Sequence, residues 1–166
     1  VGEALQVARV FSALWLLAAV ERPRAGWRRL RGKQRPGRVL YVGQSYYNAW
    51  YLSRALRDLG WRADVLNWDA TTEGDLFHHG EDYRLEMGGE DELRRHLRFY
   101  LRALRSYDVF HFTGAHNMRF GTPLQLWFAE KFSPGAEIRA LKRLGKTVVY
   151  SNNGCLDGVA QSSFAS

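Results

Sequence analysis

At 166 residues the chain is long enough for one domain with a full core between a sheet and its helices, and too short for two of that size. Its net charge of +7 arises wholly within residues 1–38, where nine Arg/Lys stand against two acids, while the remainder carries fifteen of each sign. That balanced remainder argues against a nucleic-acid-binding core, and the single cysteine, Cys155, excludes an internal disulfide and a thiolate zinc cluster.

Residues 4–20 place Val7, Val10, Phe11, Leu14, Leu17 and Ala18 on one helical face, which predicts a helix of about five turns. Gln6 and Arg9 interrupt the apolar run, and crossing a bilayer takes roughly 20 apolar residues, so a membrane span is not expected. A secretory signal carries its positive charges ahead of the apolar stretch; here the seven basic residues from Arg22 to Arg35 follow it. A cytoplasmic protein is the expectation, with a peripheral position at the membrane. An apolar face bearing Phe11 and Trp15, followed by a basic cluster, suits attachment of residues 4–35 to an anionic membrane surface. Packing of the helix on the sheet domain or on a missing half, with solvated arginines, is the competing reading. Residues 1–36 are therefore an N-terminal amphipathic helix and basic linker, and residues 37–166 a separate domain.

From Arg38 the pattern changes to alternating strands and helices. Arg38–Gly43 is a short apolar run ending in glycine, and Leu52, Ala55, Leu56 and Leu59 recur at helical spacing up to Gly60. Trp61–Trp68 reads as a second strand, and residues 69–89, rich in breakers and without period, as a long loop. A helix follows from Glu90 to Tyr107, with Leu93, Leu97, Leu101 and Leu104 as its buried stripe and Arg94, Arg98, Arg102 and Arg105 as a solvated flank. Asp108–Thr113 is the next strand. Thr122-Pro123 and Ser133-Pro134 each open a helix, the second carrying Ile138, Leu141 and Leu144 and stopping at Gly145. Lys146–Ser151 is the last strand, apolar and β-branched as if buried on both faces.

This alternation predicts an α/β fold, a parallel sheet with helices on both faces, preceded by the N-terminal helix. Ligands of such sheets bind beyond the carboxyl ends of the strands, which places a site in the segments after Gly43, Trp68, Thr113 and Ser151. The candidates there are Gly43, Gln44, Ser45 and Tyr46; Gly114, His116 and Asn117; and Asn152, Asn153 and Gly154. The first group opens a helix, whose N–H groups and dipole suit a phosphate, though a plain strand-to-helix turn has the same composition; the asparagines suit sugar hydroxyls, though Asn-Asn-Gly is also ordinary turn composition. His111, inside a strand, reads first as a packed or hydrogen-bonded ring, whereas for His116 a ligand contact and a plain loop position stand level. Glu73 and Glu81 lie in the breaker-rich loop, and His78 and His79 beside Glu81 lack a convincing third metal ligand. No Gly-x-Gly-x-x-Gly fingerprint, Walker A loop or Asp-x-Asp pair occurs.

Gly37–Asp69, then Tyr107–His116 (YDVFHFTGAH), then Leu141–Tyr150 (LKRLGKTVVY) resemble the N-terminal Rossmann-like domain of GT-B glycosyltransferases, particularly the retaining family 4. The likeness covers roughly residues 37–154 and rests on order and spacing. It implies that Gly43, Gln44 and Ser45 lie near a donor diphosphate and that His116, or less directly His111, reaches the transferred sugar. Thr113 stands where the family often has a strand-end histidine, and Asn152-Asn153-Gly154 replaces a frequent His-Gly or His-Asp pair. The implied activity is transfer from a nucleotide-diphosphate sugar to a carbohydrate or lipid-linked acceptor, without a metal or resident cofactor and without nucleic acid as partner. The family's donor-binding domain is absent from residues 1–166; the start at Val1 and the stop at Ser166 lead us to expect a piece of a longer protein, inactive alone. A flavodoxin-like or receiver-like binding or signalling domain is the alternative, though a receiver needs several acids at its strand ends and only Asp69 qualifies.

Overall fold

β1 (Arg38–Val42) is apolar on both faces, and Val39, Leu40, Tyr41 and Val42 are all buried, which a strand achieves only with neighbours on both edges and cover above and below. The structure is a computed structural model that describes residues 2–30, 37–43, 47–68, 79–113 and 118–151. On one edge β1 pairs in parallel with β2 (Arg62–Asn67), with Leu40 opposite Asp64; on the other it pairs in parallel with β4 (Val109–Thr113), with Tyr41 opposite His111. β3 (Tyr83–Arg84) extends the sheet beyond β2, and β5 (Thr147–Ser151) beyond β4, giving the all-parallel order β3-β2-β1-β4-β5. The strand of Tyr83–Arg84 corrects the expectation of an unbroken loop over residues 69–89. Two residues carry no period, and their pairing depends on Leu85 N–H reaching Asn67 O at 2.9 Å and Asp82 N–H reaching Val65 O at 2.9 Å.

Helices cover both faces. α2 (Asn48–Asp58) lies over Val39, Tyr41, Ala63 and Val65, and its inward residues are Ala49 and Ser53, with Leu56 half-buried. The stripe expected from sequence is thus rotated: Leu52 and Leu59 face solvent, 47% and 73% exposed. Small residues at Ala49, Ser53 and Ala63 allow helix and strand to approach closely, and Arg57 then reaches past the helix to Ala63 O (2.6 Å) and to the carboxylates of Asp64 (2.6 Å) and Asp82 (2.7 Å).

The other face receives α3 (Glu92–Ser106), α4 (Thr122–Lys131), α5 (Ala136–Arg143) and α1 (Gly2–Leu30) over Leu40, Val42, Leu66, Phe110 and Phe112. α3 buries Leu97 and Leu104 as the sequence predicts, but also His96, Phe99, Tyr100 and Ala103, while Leu93 and Leu101 are only partly covered. The aromatic side wins because Tyr100, Phe110, Phe112 and Phe120 interlock edge to face at 5.0–5.7 Å, each large ring contributing about 1.5–3 kcal/mol through burial. Glu92 satisfies an amide ahead of the helix by accepting from Gly88 N–H at 2.7 Å.

β5 departs from its reading as a strand buried on both faces: Val149 and Tyr150 are 37% and 43% exposed, because β5 is the last strand on its side among the described residues. α1 continues past the expected end near residue 20, through Pro23 to Leu30, so part of the basic segment is helical. Val10 and Leu17 are buried on the core and Val7, Leu14 and Ala18 pack against it. One turn further, Glu21 meets Lys146 Nζ at 2.9 Å with side chains 5% and 0% exposed. The structure thus docks α1 on the domain.

Two predictions follow from these buried charges. Lys146→Met removes the ammonium that Glu21 meets in the core and is expected to cost about 3–5 kcal/mol in urea unfolding, while Glu21→Leu with Lys146→Met recovers most of the loss. Asp64 is pushed up by burial but pulled down further by the hydrogen bonds from Tyr107 and Arg62 and by the charges of Arg62 and Arg57, so its net shift is below 3.8. The stability that it lends is complete above that value and is lost as pH falls through the depressed range. Asp64→Asn should cost about 1.5–3 kcal/mol at neutral pH and flatten the acid limb of Tm against pH.

Candidate functional site

Parallel pairing brings the carboxyl ends of β1, β2, β4 and β5 to one edge, with Thr113 opposite Ser151 and Val42 opposite Leu66 and Phe112. Between β1 and β4 the strand order reverses: the chain leaves β1 towards β2 on one side, and β4 towards β5 on the other. Open parallel sheets bind their ligands at the strand ends beside such a reversal. Gly43 lies at this point. Its N–H donates to Leu66 O at 3.0 Å and its carbonyl accepts from Thr113 Oγ1 at 2.5 Å, tying three strand ends together. Its φ of +80° and the space around it both require glycine, since a Cβ would stand 3.1 Å from Thr113 O and 3.3 Å from the Trp68 ring. Thr113 therefore serves as the lock between β1 and β4.

His111 is half-buried on the same face of the sheet as Tyr41, their rings 4.9 Å apart, and its Nε2 hydrogen-bonds Ser151 Oγ. Burial pushes its imidazole below the ordinary 6.5 and raises the Tyr41 phenol. The packed, hydrogen-bonded reading of His111 is the one realised.

The structure adds residues that the sequence analysis did not select. Tyr47, which begins α2, and Tyr51 one turn on converge with His79, ring centroids 5.3–5.9 Å apart, and Tyr51 Oη lies 3.0 Å from His79 Nδ1. Tyr47 and Tyr51 are 45% and 54% exposed, which makes an open aromatic surface beside the turn that follows β1. Glu81, weighed with His79 as a metal ligand, instead accepts from Asn67 Nδ2 at 2.9 Å and pairs with Arg84 at 3.3 Å. Among the described residues, no group of three or more His, Cys, Asp or Glu is arranged to hold a metal. His96 is wholly buried; Nδ1 meets Glu92 O at 2.9 Å, while Nε2 has no polar partner among the described residues and abuts Gly121, where a Cβ would come within 3.0 Å. Tyr100, one turn along the same face, is the sequence signal that could have marked His96 as inward.

Gln44, Ser45, Tyr46, Gly114, His116, Asn117, Asn152, Asn153 and Gly154 lie outside the described residues, as do Glu73 and His78. The strand ends that precede the site segments do share the edge at which Gly43 lies. Comparison with protein-family models, with curated proteins and with solved structures finds no match.

Gly43→Ala is expected to lower stability by about 1–3 kcal/mol through a side chain forced into a left-handed backbone against Thr113 and Trp68, measurable as a shifted urea midpoint. For His111 the depressed titration means that its neutral form is favoured by folding. The corresponding stability is complete above 6.5 and is lost as pH falls through the lowered value. His111→Gln, which keeps a partner for Ser151 without titrating, should therefore remove the part of the Tm decline that begins as pH drops below 6.5.

Proposed function

We propose that this chain is the acceptor-side, N-terminal Rossmann-like domain of a GT-B glycosyltransferase, which transfers a sugar from a nucleotide-diphosphate sugar to a carbohydrate or lipid-linked acceptor in a cleft completed by a second domain. The observation that carries this reading is the reversal of strand order between β1 and β4, with Gly43 held between Leu66 and Thr113 at the strand ends. α2 starts at Asn48, close after Gly43, with no acid in its first turn and its N-terminal dipole towards that edge, which suits a phosphate. The exposed rings of Tyr47 and Tyr51 give a stacking surface for a sugar or a base beside that phosphate position.

In this reading the domain contributes positioning and charge stabilisation. Gly43, Gln44 and Ser45 would face the donor diphosphate, His116 the sugar, and Asn152 and Asn153 its hydroxyls. His111 acts one layer below, holding Ser151 at the strand end.

The test is calorimetric titration of the intact native protein with nucleotide-diphosphate sugars of different base and sugar, alongside transfer assays. Saturable binding by at least one donor is expected, and Tyr51→Ala should weaken it about tenfold, since stacking on one ring is worth roughly 1–3 kcal/mol. His116→Ala should lower turnover far more than it lowers Tm. Absence of binding by every donor tested, or turnover unaffected by His116→Ala, would count against the reading.

A further inference from the structure

A groove of about 640 Å³ runs between α1 and the α4–α5 pair, away from the strand ends. Such a volume lies in the range of about 300–1,000 Å³ typical of sites for small organic ligands. Its apolar walls are Phe11 and Trp15 on one side and Phe128 and Phe132 on the other, and it is shallowly floored because Ala18, Ala136 and Ala140 have nothing beyond a methyl. Polarity is confined to Ser133 and to three arginines, Arg22, Arg139 and Arg143; no acidic residue lines the groove among the described residues. None of the three arginines has a salt-bridge partner among the described residues. Arg22 Nε donates to Arg143 O at 2.9 Å, so it neutralises the carboxyl end of α5 and holds α1 across one end of the groove.

α1 supplies the second observation. Its inward face is used by the core, yet Leu5, Phe11, Trp15, Leu16 and Val20 are 47–66% exposed, so the helix is apolar on both faces. Ala4–Pro23 has a mean hydropathy of 1.5 and is long and apolar enough to cross a membrane, although only 17% of it is buried inside the protein. An apolar helix with one side docked and the other open belongs at a lipid surface rather than in water.

We propose that this groove binds one acyl chain of an anionic phospholipid drawn from a bilayer, with the lipid phosphate held by Arg139 and Arg143. The match is one of charge and shape: an apolar trough, three arginines with no acid in its lining among the described residues, and an exposed apolar helix face that brings it to the bilayer. It stands independently of the sugar-transfer reading.

The test uses the intact protein with vesicles of phosphatidylcholine alone, or mixed with phosphatidylglycerol carrying brominated acyl chains, which quench a tryptophan only on contact. Sedimentation should favour the anionic vesicles and weaken with salt, and quenching should include a component that Trp15→Phe removes. Ala140→Leu, which fills the groove, should abolish that component while leaving the circular-dichroism melt in place. Arg139→Gln with Arg143→Gln should weaken sedimentation about tenfold or more. Equal binding to neutral vesicles overturns the proposal, as does Trp15 quenching that persists in a folded Ala140→Leu protein. If Ala140→Leu does not fold, full quenching and binding by the folded double arginine variant overturn it equally.

Discussion

Parallel pairing of β1 on both edges is the constraint from which the rest of the architecture follows. A strand so placed loses water on both faces, so all of Val39–Val42 must be apolar and both faces must be covered by helices. Its two parallel neighbours each need a right-handed crossover, and the two crossovers leave in opposite directions. The reversal of strand order between β1 and β4 is therefore a consequence of that pairing, and Gly43, Trp68 and Thr113 pack together at the strand ends there.

Elements whose stability comes from local pattern were legible in the sequence. The strands at Arg38–Val42, Arg62–Asn67, Val109–Thr113 and Thr147–Ser151 are short apolar runs bounded by polar or glycine signals, and the helices at Glu92–Ser106 and Ala136–Arg143 carry clear periods and stops. What escaped was decided by contacts distant in the chain. β3 exists through two residues paired with Leu66 and Asn67, and no window so short shows a period. In α2 the leucines carry the helical period, yet close approach to Ala63 selects Ala49 and Ser53 as the inward face. β5 has the composition of a central strand, but composition does not reveal which strand ends the sheet.

The site divides in the same way. Its location followed from strand order, and Gly43 was legible as the glycine at the end of the first strand. The role of Thr113 was not, since its bond to Gly43 O joins residues 70 apart; nor was the meeting of Tyr51 with His79, 28 apart. His79 and Glu81 look like a metal pair when read along the chain. In space they face different partners, an aromatic pair for one and Asn67 with Arg84 for the other.

The N-terminal helix shows how one segment satisfies two solvents. A bilayer-crossing position for Ala4–Pro23 would remove Val10 and Leu17 from the core and separate Glu21 from Lys146, leaving a buried ammonium without its carboxylate. Docking along the domain keeps that pair and turns Trp15, Leu16 and Val20 outward. The buried ion pair thus fixes which face of α1 belongs to the protein. Because Glu21 is held to Lys146 and the adjoining Arg22 to the end of α5, the helix is set at a fixed height above α4 and α5. The groove beneath it is that separation, floored by alanines where larger side chains would have closed it.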